Sequence, residues 1–301
     1  IKLIMSPIFT FEELDVELLK QFDGTNNYFN CSHLNGRTIF RKEHKISRDF
    51  HACDIVDQDG EVLLQNYADE EYHYSFEDAR WIDDKNIGVC VAKFDIQDLA
   101  KLEGVHFKRY NIETKKLYHY VTRKAHFEKH WQFYNNYIIY HVNPFTIMDS
   151  SEQPVFVKNI NWKPWIEKYG NPGLSTNVFD VHGEKFLLYH SYVYFGPAIM
   201  RYFVGVMKVK NDITPIGYCM NPLLVSDRNY SSHYVLNRLW SWRNTTHRNA
   251  IKYEVIFPMN VVTDDKSIHI YGGLNDCSAV KMSIDKSTFV ERIKNQPFII
   301  H

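Results

Sequence analysis

The chain has 301 residues, of which 45% are hydrophobic and 24% are charged, and its 35 basic and 36 acidic residues give a formal net charge of −1. This balance excludes a disordered chain and provides no basic excess for a nucleic-acid partner. No apolar run reaches the roughly 20 residues that a membrane-spanning helix needs, so we expect a soluble protein without a membrane span.

The first residues predict a helix. Thr10 and Glu13 have the spacing of a capping box, in which each side chain satisfies a backbone N–H of the first helical turn. Apolar residues such as Leu18 then recur at helical spacing, and Gly24 is a typical helix terminator. We therefore predict an N-terminal helical strap, defined as residues 1–36, that packs against the main fold.

Farther along, the pattern changes to short strands joined by tight turns. Arg80–Ile82 leads into the turn Asp83–Asn86 and then into the strand-forming run Ile87–Val91, which is the pattern of a β-hairpin. The first three turns are spaced by roughly 50 residues, the size of a four-stranded propeller blade. The same hairpin pattern recurs at residues 131–141, 177–190 and 255–271.

Five such blades fit the length of the chain. The predicted fold class is therefore all-β, a five-bladed β-propeller with an N-terminal helix. We predict one domain over residues 1–301, with a long loop at residues 226–249 and a short closing helix at Lys286–Lys294. The alternative, a large β-sandwich, gives no reason for the recurring hairpin.

The cysteines indicate neither a disulfide framework nor a zinc site. They stand at positions 31, 53, 90, 219 and 277, an odd number without a close pair. Unpaired thiols are typical of a reducing compartment, so the cytoplasm is favoured. We expect no metal ion and no cofactor.

The strongest local signal for chemistry is Glu77-Asp78-Ala79-Arg80, directly before the first recurring hairpin. Strand entries of a propeller surround its centre, where several blades direct polar groups at one ligand. Adjacent carboxylates beside an arginine acquire different pKa values, because the cation favours one negative charge while repulsion disfavours the other. Glycosyl transfer needs such a group to assist the departing oxygen. Taken alone, the motif also fits a salt-bridged surface turn.

Further polar or aromatic residues stand at strand ends in matching positions of the later repeats. Equivalent positions of successive blades converge on the axis of a propeller, so these residues are candidates for one shared site. The residues predicted to bind substrate are Glu77, Arg80, Lys129, His130, Trp131, Asn143, His190, Glu254, Asn275 and Asp276.

The order of these motifs resembles a known family, glycoside hydrolase family 130, which contains β-mannoside phosphorylases and hydrolases. The chain is also similar to the related β-1,2-mannosyltransferases of glycosyltransferase family 108. The resemblance runs from residue 37 to residue 285. The motifs that carry it are Glu77-Asp78-Ala79-Arg80, Lys129-His130-Trp131, Tyr189-His190, Phe257-Pro258 and Tyr271–Asp276.

The resemblance implies an inverting mechanism without a metal ion, with Asp78 as the proton donor. It also implies a phosphate site, for which the charge-assisted donors would be Arg80, Lys129, His190 and Arg201. The chain departs from the family pattern at three places: Ala79 replaces a proline, His130 replaces the usual asparagine, and Tyr140-His141-Val142 stands where Leu-His-Arg is common. The last departure removes an expected basic residue and so argues against the use of phosphate, which leaves transfer from an activated sugar and hydrolysis open beside phosphorolysis.

We accordingly predict a carbohydrate-active enzyme that transfers a mannose-like sugar with inversion, either a glycosyltransferase or a glycoside phosphorylase. Its partners would be a nucleotide sugar or sugar phosphate as donor and a glycan as acceptor. One alternative is a glycoside hydrolase, whose second carboxylate would lie on the order of 6.5–9.5 Å from the acid, with Asp180, Glu254 and Asp276 as candidates. The other is a propeller that binds glycans without catalysis.

Overall fold

The computed structural model describes residues 6–21, 23–46, 50–99, 101–119, 129–195, 199–226, 252–276 and 278–300, with backbone alone at residues 119, 195, 199 and 252–254. These residues form an all-β structure of five sheets in a propeller-like arrangement. Nearly all neighbouring strands are antiparallel. Within the described ranges, no helix has the length and apolar character to span a membrane. Residues 227–249 of the predicted long loop lie outside the described part of the chain.

The predicted N-terminal helix is wrong. After a single 3₁₀ turn at Phe11–Glu13, residues Asp15–Gln21 form a strand, β1. This strand pairs antiparallel with residues 278–283, near the other end of the sequence. Val16 and Leu18 pack against the apolar core, since alternate residues of a strand face the same side.

The first three sheets follow one another along the chain. The first contains β2 (Asn27–Leu34), β3 (Arg37–Lys45), β4 (His51–Asp57) and β5 (Val62–Leu64). The second contains β6 (Tyr67–Ala68), β7 (Tyr72–Trp81), β8 (Asn86–Asp95), β9 (Leu102–Asn111) and β10 (Lys116–His119). The third contains β11 (Gln132–Tyr134), β12 (Tyr137–Val142), β13 (Phe145–Met148) and β14 (Pro154–Lys158).

The fourth sheet is the largest and the fifth includes β1. The fourth contains β15 (Gly173–Leu174), β16 (Phe179–Val181), β17 (Glu184–Phe195), β18 (Ile199–Val209), β19 (Pro215–Cys219), β20 (Leu224–Val225), β21 (Lys252–Glu254) and, from the end of the chain, β25 (Phe298–Ile300). The fifth contains β22 (Ile256–Thr263), β23 (Ser267–Leu274) and β24 (Ser278–Asp285), with β1 at its edge.

Two α-helices accompany the described strands, α1 (Lys163–Tyr169) and α2 (Lys286–Lys294). The second confirms the predicted closing helix. Its N-terminus is capped by Asp285, whose carboxylate accepts the backbone N–H of Thr288 at 2.8 Å. Such a cap satisfies one of the N–H groups that a helix start leaves without an intrahelical partner.

The four predicted hairpins are confirmed as β7–β8, β11–β12, β16–β17 and β22–β23. A fifth hairpin of the same kind, β2–β3, begins inside the segment predicted to be a helical strap. Its turn residues Asn35 and Gly36 both have positive φ (48° and 77°), a conformation that these two residue types tolerate. The prediction therefore missed the first hairpin of the series.

Apolar clusters lie between successive sheets and hold them side by side. Ile55 and Phe76 belong to the cluster between the first and second sheets, for example, and Phe107 and Trp131 to the next one. Clusters of the same kind join the third sheet to the fourth and the fourth to the fifth. Another cluster, which includes Tyr271, joins the fifth sheet to the first.

Candidate active site

Asp78 lies in a β-bulge of β7, where the pairing with β8 shifts between Glu77 and Arg80. Its side chain is buried and its φ is +50°. A bulge redirects a side chain out of the regular pleat, and positive φ is uncommon for a residue other than glycine. Such backbone strain concentrates at functional sites. The geometry therefore singles out Asp78 among the residues of this strand.

Each of the five hairpins has a polar residue three or four positions before the last paired residue of its first strand. These residues are Asn30, Asp78, His130, Asn177 and Asn260. The first three have positive φ, of 49°, 50° and 70°. The other two bridge neighbouring sheets, because their side-chain amides bond the backbone of Val261 and His33 respectively.

Two cations bind the carboxylates of Glu77 and Asp78. Arg41 lies 3.0 Å from Glu77 and 3.5 Å from Asp78, while Lys129 lies 3.0 Å from the other oxygen of Glu77. Asn30 donates from its amide to Asp78 at 2.8 Å. The structure thus brings together the predicted Glu77, Asp78 and Lys129, and adds two residues from the first sheet.

These cations control the ionisation of the two acids. Burial of the Asp78 carboxyl favours its neutral form, but the positive charges of Arg41 and Lys129 outweigh burial and hold its pKa well below the usual range. The same three influences leave the pKa of Glu77 lowered as well. In turn, the charge of Glu77 raises the pKa of Lys129. Both carboxylates are therefore ionised at neutral pH in the protein without substrate.

Arg41, Glu77, Asp78 and Lys129 form a charge cluster. The predicted site residues His130 and His190 lie beside it. Their rings are 5.1 Å apart, and both contact the ring of Phe257, at 5.3 Å from His130 and 4.8 Å from His190. Burial, followed by the charge of Arg80, lowers the pKa of His190 to about 3, and burial also holds the pKa of His130 well below its usual value. Neutral imidazoles both donate and accept hydrogen bonds, as sugar hydroxyl groups do.

Several buried polar atoms around Asp78 have no hydrogen-bond partner among the described residues. They are Oδ1 of Asn30, Nε and Nη2 of Arg80, and Nδ1 of His130. The third nitrogen of the Arg80 guanidinium, Nη1, donates to the backbone carbonyl of Asp78 at 3.1 Å. Buried polar groups are nearly always hydrogen-bonded, so such a concentration is typical of a ligand or water site.

Asp276 lies close enough to Tyr202 for its charge to act on the phenol. Burial, then the negative charge of Asp276 and, more weakly, that of Asp78, raise the pKa of the Tyr202 phenol. Tyr202 therefore lies within electrostatic range of both carboxylates. Its ring is 6.0 Å from that of His190, which places it at the same site.

The other predicted residues have different places. Trp131 is buried in the core against Phe107, so the structure does not bring it to the site. Asn275 supports a turn, where its side chain accepts the backbone N–H of Val255 at 3.0 Å. Asn143 is exposed in the turn between β12 and β13. This turn lies at the same end of the third sheet as the first residue of β11.

Arg201 and Glu254 are paired across β18 and β21, which run parallel there. The side chain of Glu254 lies outside the described residues. Asp180, a candidate second carboxylate, is exposed at the opposite end of β17, opposite Lys185 and thus about 17 Å along the strand from His190. It is too distant to act with Asp78.

Sequence reasoning missed Asn30, Arg41 and Tyr202. The signal for Asn30 is its position before the turn Asn35-Gly36, which has the spacing of Asp78 before its own turn. Arg41 and Tyr202 have no such local signal, because their roles depend on contacts between strands. Among the described residues, no group of three or more His, Cys, Asp or Glu side chains is placed to hold a metal ion.

No family model matches the chain, and no curated protein matches its sequence. Several solved structures do match it. The β-1,2-mannobiose phosphorylase from Listeria innocua is 12% identical, with a TM-score of 0.57 over 96% of this chain and 95% of that one. A GDP-Man-dependent mannosyltransferase from Leishmania mexicana is 16% identical, with a TM-score of 0.53 over 91% and 89% of the two chains.

A third structure comes from work on glycoside hydrolase family 130, described as mannoside phosphorylases that include glycoside hydrolases targeting β-1,2 mannosidic linkages. It is 10% identical, with a TM-score of 0.50 over 94% of this chain and 91% of that one. Identities this low establish a likeness of fold. The chain thus has the fold of mannoside phosphorylases, of related glycoside hydrolases and of a mannosyltransferase, as its motifs predict.

Proposed function

We propose that this protein transfers a mannose-like sugar with inversion, and that Asp78 exchanges the proton with the reacting oxygen. The supporting observation is the Asp78 carboxylate, which is buried and kept ionised by Arg41 and Lys129. An ionised carboxylate is a base, so it can take the proton of the acceptor hydroxyl while that oxygen attacks the anomeric carbon. In the reverse direction the same group would return this proton to the departing oxygen.

The charge of the site supports an anionic donor. Three cations, Arg41, Arg80 and Lys129, lie around Glu77 and Asp78, and both histidines are neutral. Charged donors of this kind fit the phosphate of a nucleotide sugar or a sugar phosphate, which is a good leaving group. The mannose-specific names of the similar structures support mannose as the sugar and a mannoside as the acceptor.

We also propose that the five sheets are the blades of one propeller domain spanning residues 1–301. Apolar clusters between each sheet and the next, including the fifth and the first, support this organisation. A reducing compartment such as the cytoplasm is supported by four free, buried cysteines among the described residues; they are Cys31, Cys53, Cys90 and Cys219.

The test is a donor screen with a matched pair of variants. The protein is incubated with GDP-mannose or mannose 1-phosphate and with mannose or β-1,2-mannobiose as acceptor, and products are separated by chromatography. We expect Asp78→Asn to lower the rate by about 10²–10⁴-fold, the usual contribution of an acid–base group. Asp54→Asn is the control, because Asp54 is equally buried and binds Asn66 away from the site. Equal rates in the two variants, or no product from any donor with folded protein, would refute the proposal.

Hydrolysis is the second candidate function, and the observation that favours it is Asp276. The negative charge of the Asp276 carboxylate raises the pKa of Tyr202, as that of Asp78 does, so a second acid lies near the site. An inverting hydrolase needs one acid with a raised pKa, however, and the pKa of Asp78 is lowered. Release of free mannose from β-1,2-mannobiose, abolished by Asp276→Asn, would favour hydrolysis over transfer.

A further inference from the structure

We propose that the acceptor is a saccharide chain of several residues, and that its outer residues stack on an aromatic ladder formed by Tyr202, Tyr192 and Tyr194. This inference rests on the proposed function and specifies the size of the acceptor. The ladder lies on β17 and β18, the longest pair of strands among those described, with 12 and 11 residues.

The ladder follows from the strand register. His190, Tyr192 and Tyr194 alternate along β17 and therefore share one face of the sheet. Tyr202 is directly opposite Tyr192 on β18, so its side chain joins the same face. The ring centroids are 6.0 Å apart for His190 and Tyr202, 5.4 Å for Tyr202 and Tyr192, and 5.8 Å for Tyr192 and Tyr194.

Exposure increases along the ladder with distance from the site. His190 is 7% exposed, Tyr192 is 43% exposed and Tyr194 is 60% exposed. Each step of two residues advances about 7 Å along the strand. The rings thus form a continuous path from the buried site to solvent, and the two outermost rings are accessible to a ligand.

The inner end of this path reaches the reacting groups. Tyr202 lies within electrostatic range of Asp78, and its neighbour His190 contacts the site residues His130 and Phe257. A sugar bound at Asp78 would therefore have the ladder beside it. A chain attached to that sugar would leave the site along these rings.

The chemistry of the ladder favours a saccharide over a protein. Tyrosine rings offer a flat apolar face and a hydroxyl, which match the C–H face and the hydroxyl groups of a pyranose. The exposed part consists of two side chains, far less than the roughly 800 Å² that a stable protein interface buries on each partner. We therefore assign the ladder to the acceptor chain.

The experiment compares acceptors of different length in single-ring variants. The acceptors are mannose and a chain of four β-1,2-linked mannose residues, and the measured quantity is the ratio of their kcat/KM values. Tyr194→Ala and Tyr192→Ala should each lower the ratio of long to short acceptor by about two- to twelvefold, which corresponds to about 0.5–1.5 kcal/mol for a stacked ring. Tyr194→Phe, which keeps the ring, should retain most of the ratio.

The matched control is Tyr137→Ala. Tyr137 is 44% exposed, about the same as Tyr192, but it follows the β11–β12 turn at the end of its sheet away from the site. Its removal should leave the ratio unchanged. An equal ratio in all variants, with transfer intact, would overturn the ladder proposal and leave the proposed function standing. Absence of transfer to every acceptor would instead overturn both.

Discussion

A comparison of two lysines tests whether burial gives the charge cluster its strength. Lys129 and Glu77 are 3.0 Å apart, with 33% and 14% of their side chains exposed. Lys85 and Glu113 are also 3.0 Å apart, but 61% and 56% of their side chains are exposed. Methionine keeps most of the lysine side chain and removes its charge, so Lys129→Met and Lys85→Met differ chiefly in the environment of the lost pair.

The expected free energies follow from Coulomb's law. At 3.0 Å and an effective dielectric constant of 20, two unit charges attract by about 5.5 kcal/mol, and the cost of burying and ordering them offsets much of this. Because Arg41 still neutralises Glu77 in the variant, we expect Lys129→Met to lower the free energy of unfolding by about 2 kcal/mol. The exposed pair should contribute less than about 1 kcal/mol.

The assay is urea unfolding followed by tryptophan fluorescence at several pH values. Since the pKa of Glu77 is lowered in the folded protein, its ion pairs stabilise the protein above its ordinary pKa of 4.5 and are lost as the pH falls toward the lower folded value. The difference between wild type and Lys129→Met should therefore be full at pH 7 and shrink below about pH 4.5. Equal losses for both lysines, or a loss that grows in acid, would refute the reasoning.

Three further predictions test other parts of the structure. In Gly205→Ala the new methyl group would lie 2.1 Å from the ring of Tyr189, so the free energy of unfolding should fall by about 2 kcal/mol. The melting temperature should fall with it, and an unchanged melting temperature would contradict the tight packing. The His190 ring should show no titration in NMR spectra between pH 5 and pH 8, because its pKa is about 3, and a midpoint near 6.5 would exclude its burial. Asn260→Ala removes two hydrogen bonds to the backbone of His33 and should cost about 2 kcal/mol in urea unfolding, whereas a neutral effect would show that this bridge is dispensable.

The hairpins could be predicted because their signals are local. In the turn after β7, for example, the carboxylate of Asp83 accepts the backbone N–H groups of Lys85 and Asn86 at 2.8 and 2.9 Å. Such turns form from neighbouring residues whatever the distant chain does. The same locality explains the correct prediction of α2, whose cap is Asp285.

β1 could not be predicted because its conformation depends on distant residues. Leu14, Leu18 and Leu19 fit the spacing of a helix, and the capping interaction of Thr10 with Glu13 does form. The segment nevertheless extends beside β24, where tertiary pairing outweighs weak helix propensity. This error also concealed the first hairpin, and with it Asn30 and Arg41.

The site was therefore predicted in part. Motifs near the hairpin turns identified Asp78, Lys129 and His190, which the structure brings together with their neighbours. Trp131 belongs to the same motif as Lys129, but His130 between them has a φ of +70°, which interrupts the extended chain, and the ring of Trp131 enters the core. Only strand register could have shown that Tyr202 faces the site.

The pairing of β1 with β24 has a consequence for biosynthesis. Leu18 pairs with Val280, so a ribosome adding roughly 5–20 residues per second needs roughly 10 to 50 s between making the two partners. During that interval the nascent β1 has no partner strand, and the fifth sheet cannot be completed before β24 has been made. Such distant pairing slows folding, because the ribosome must synthesise the whole segment from β1 to β24 before the two strands can pair.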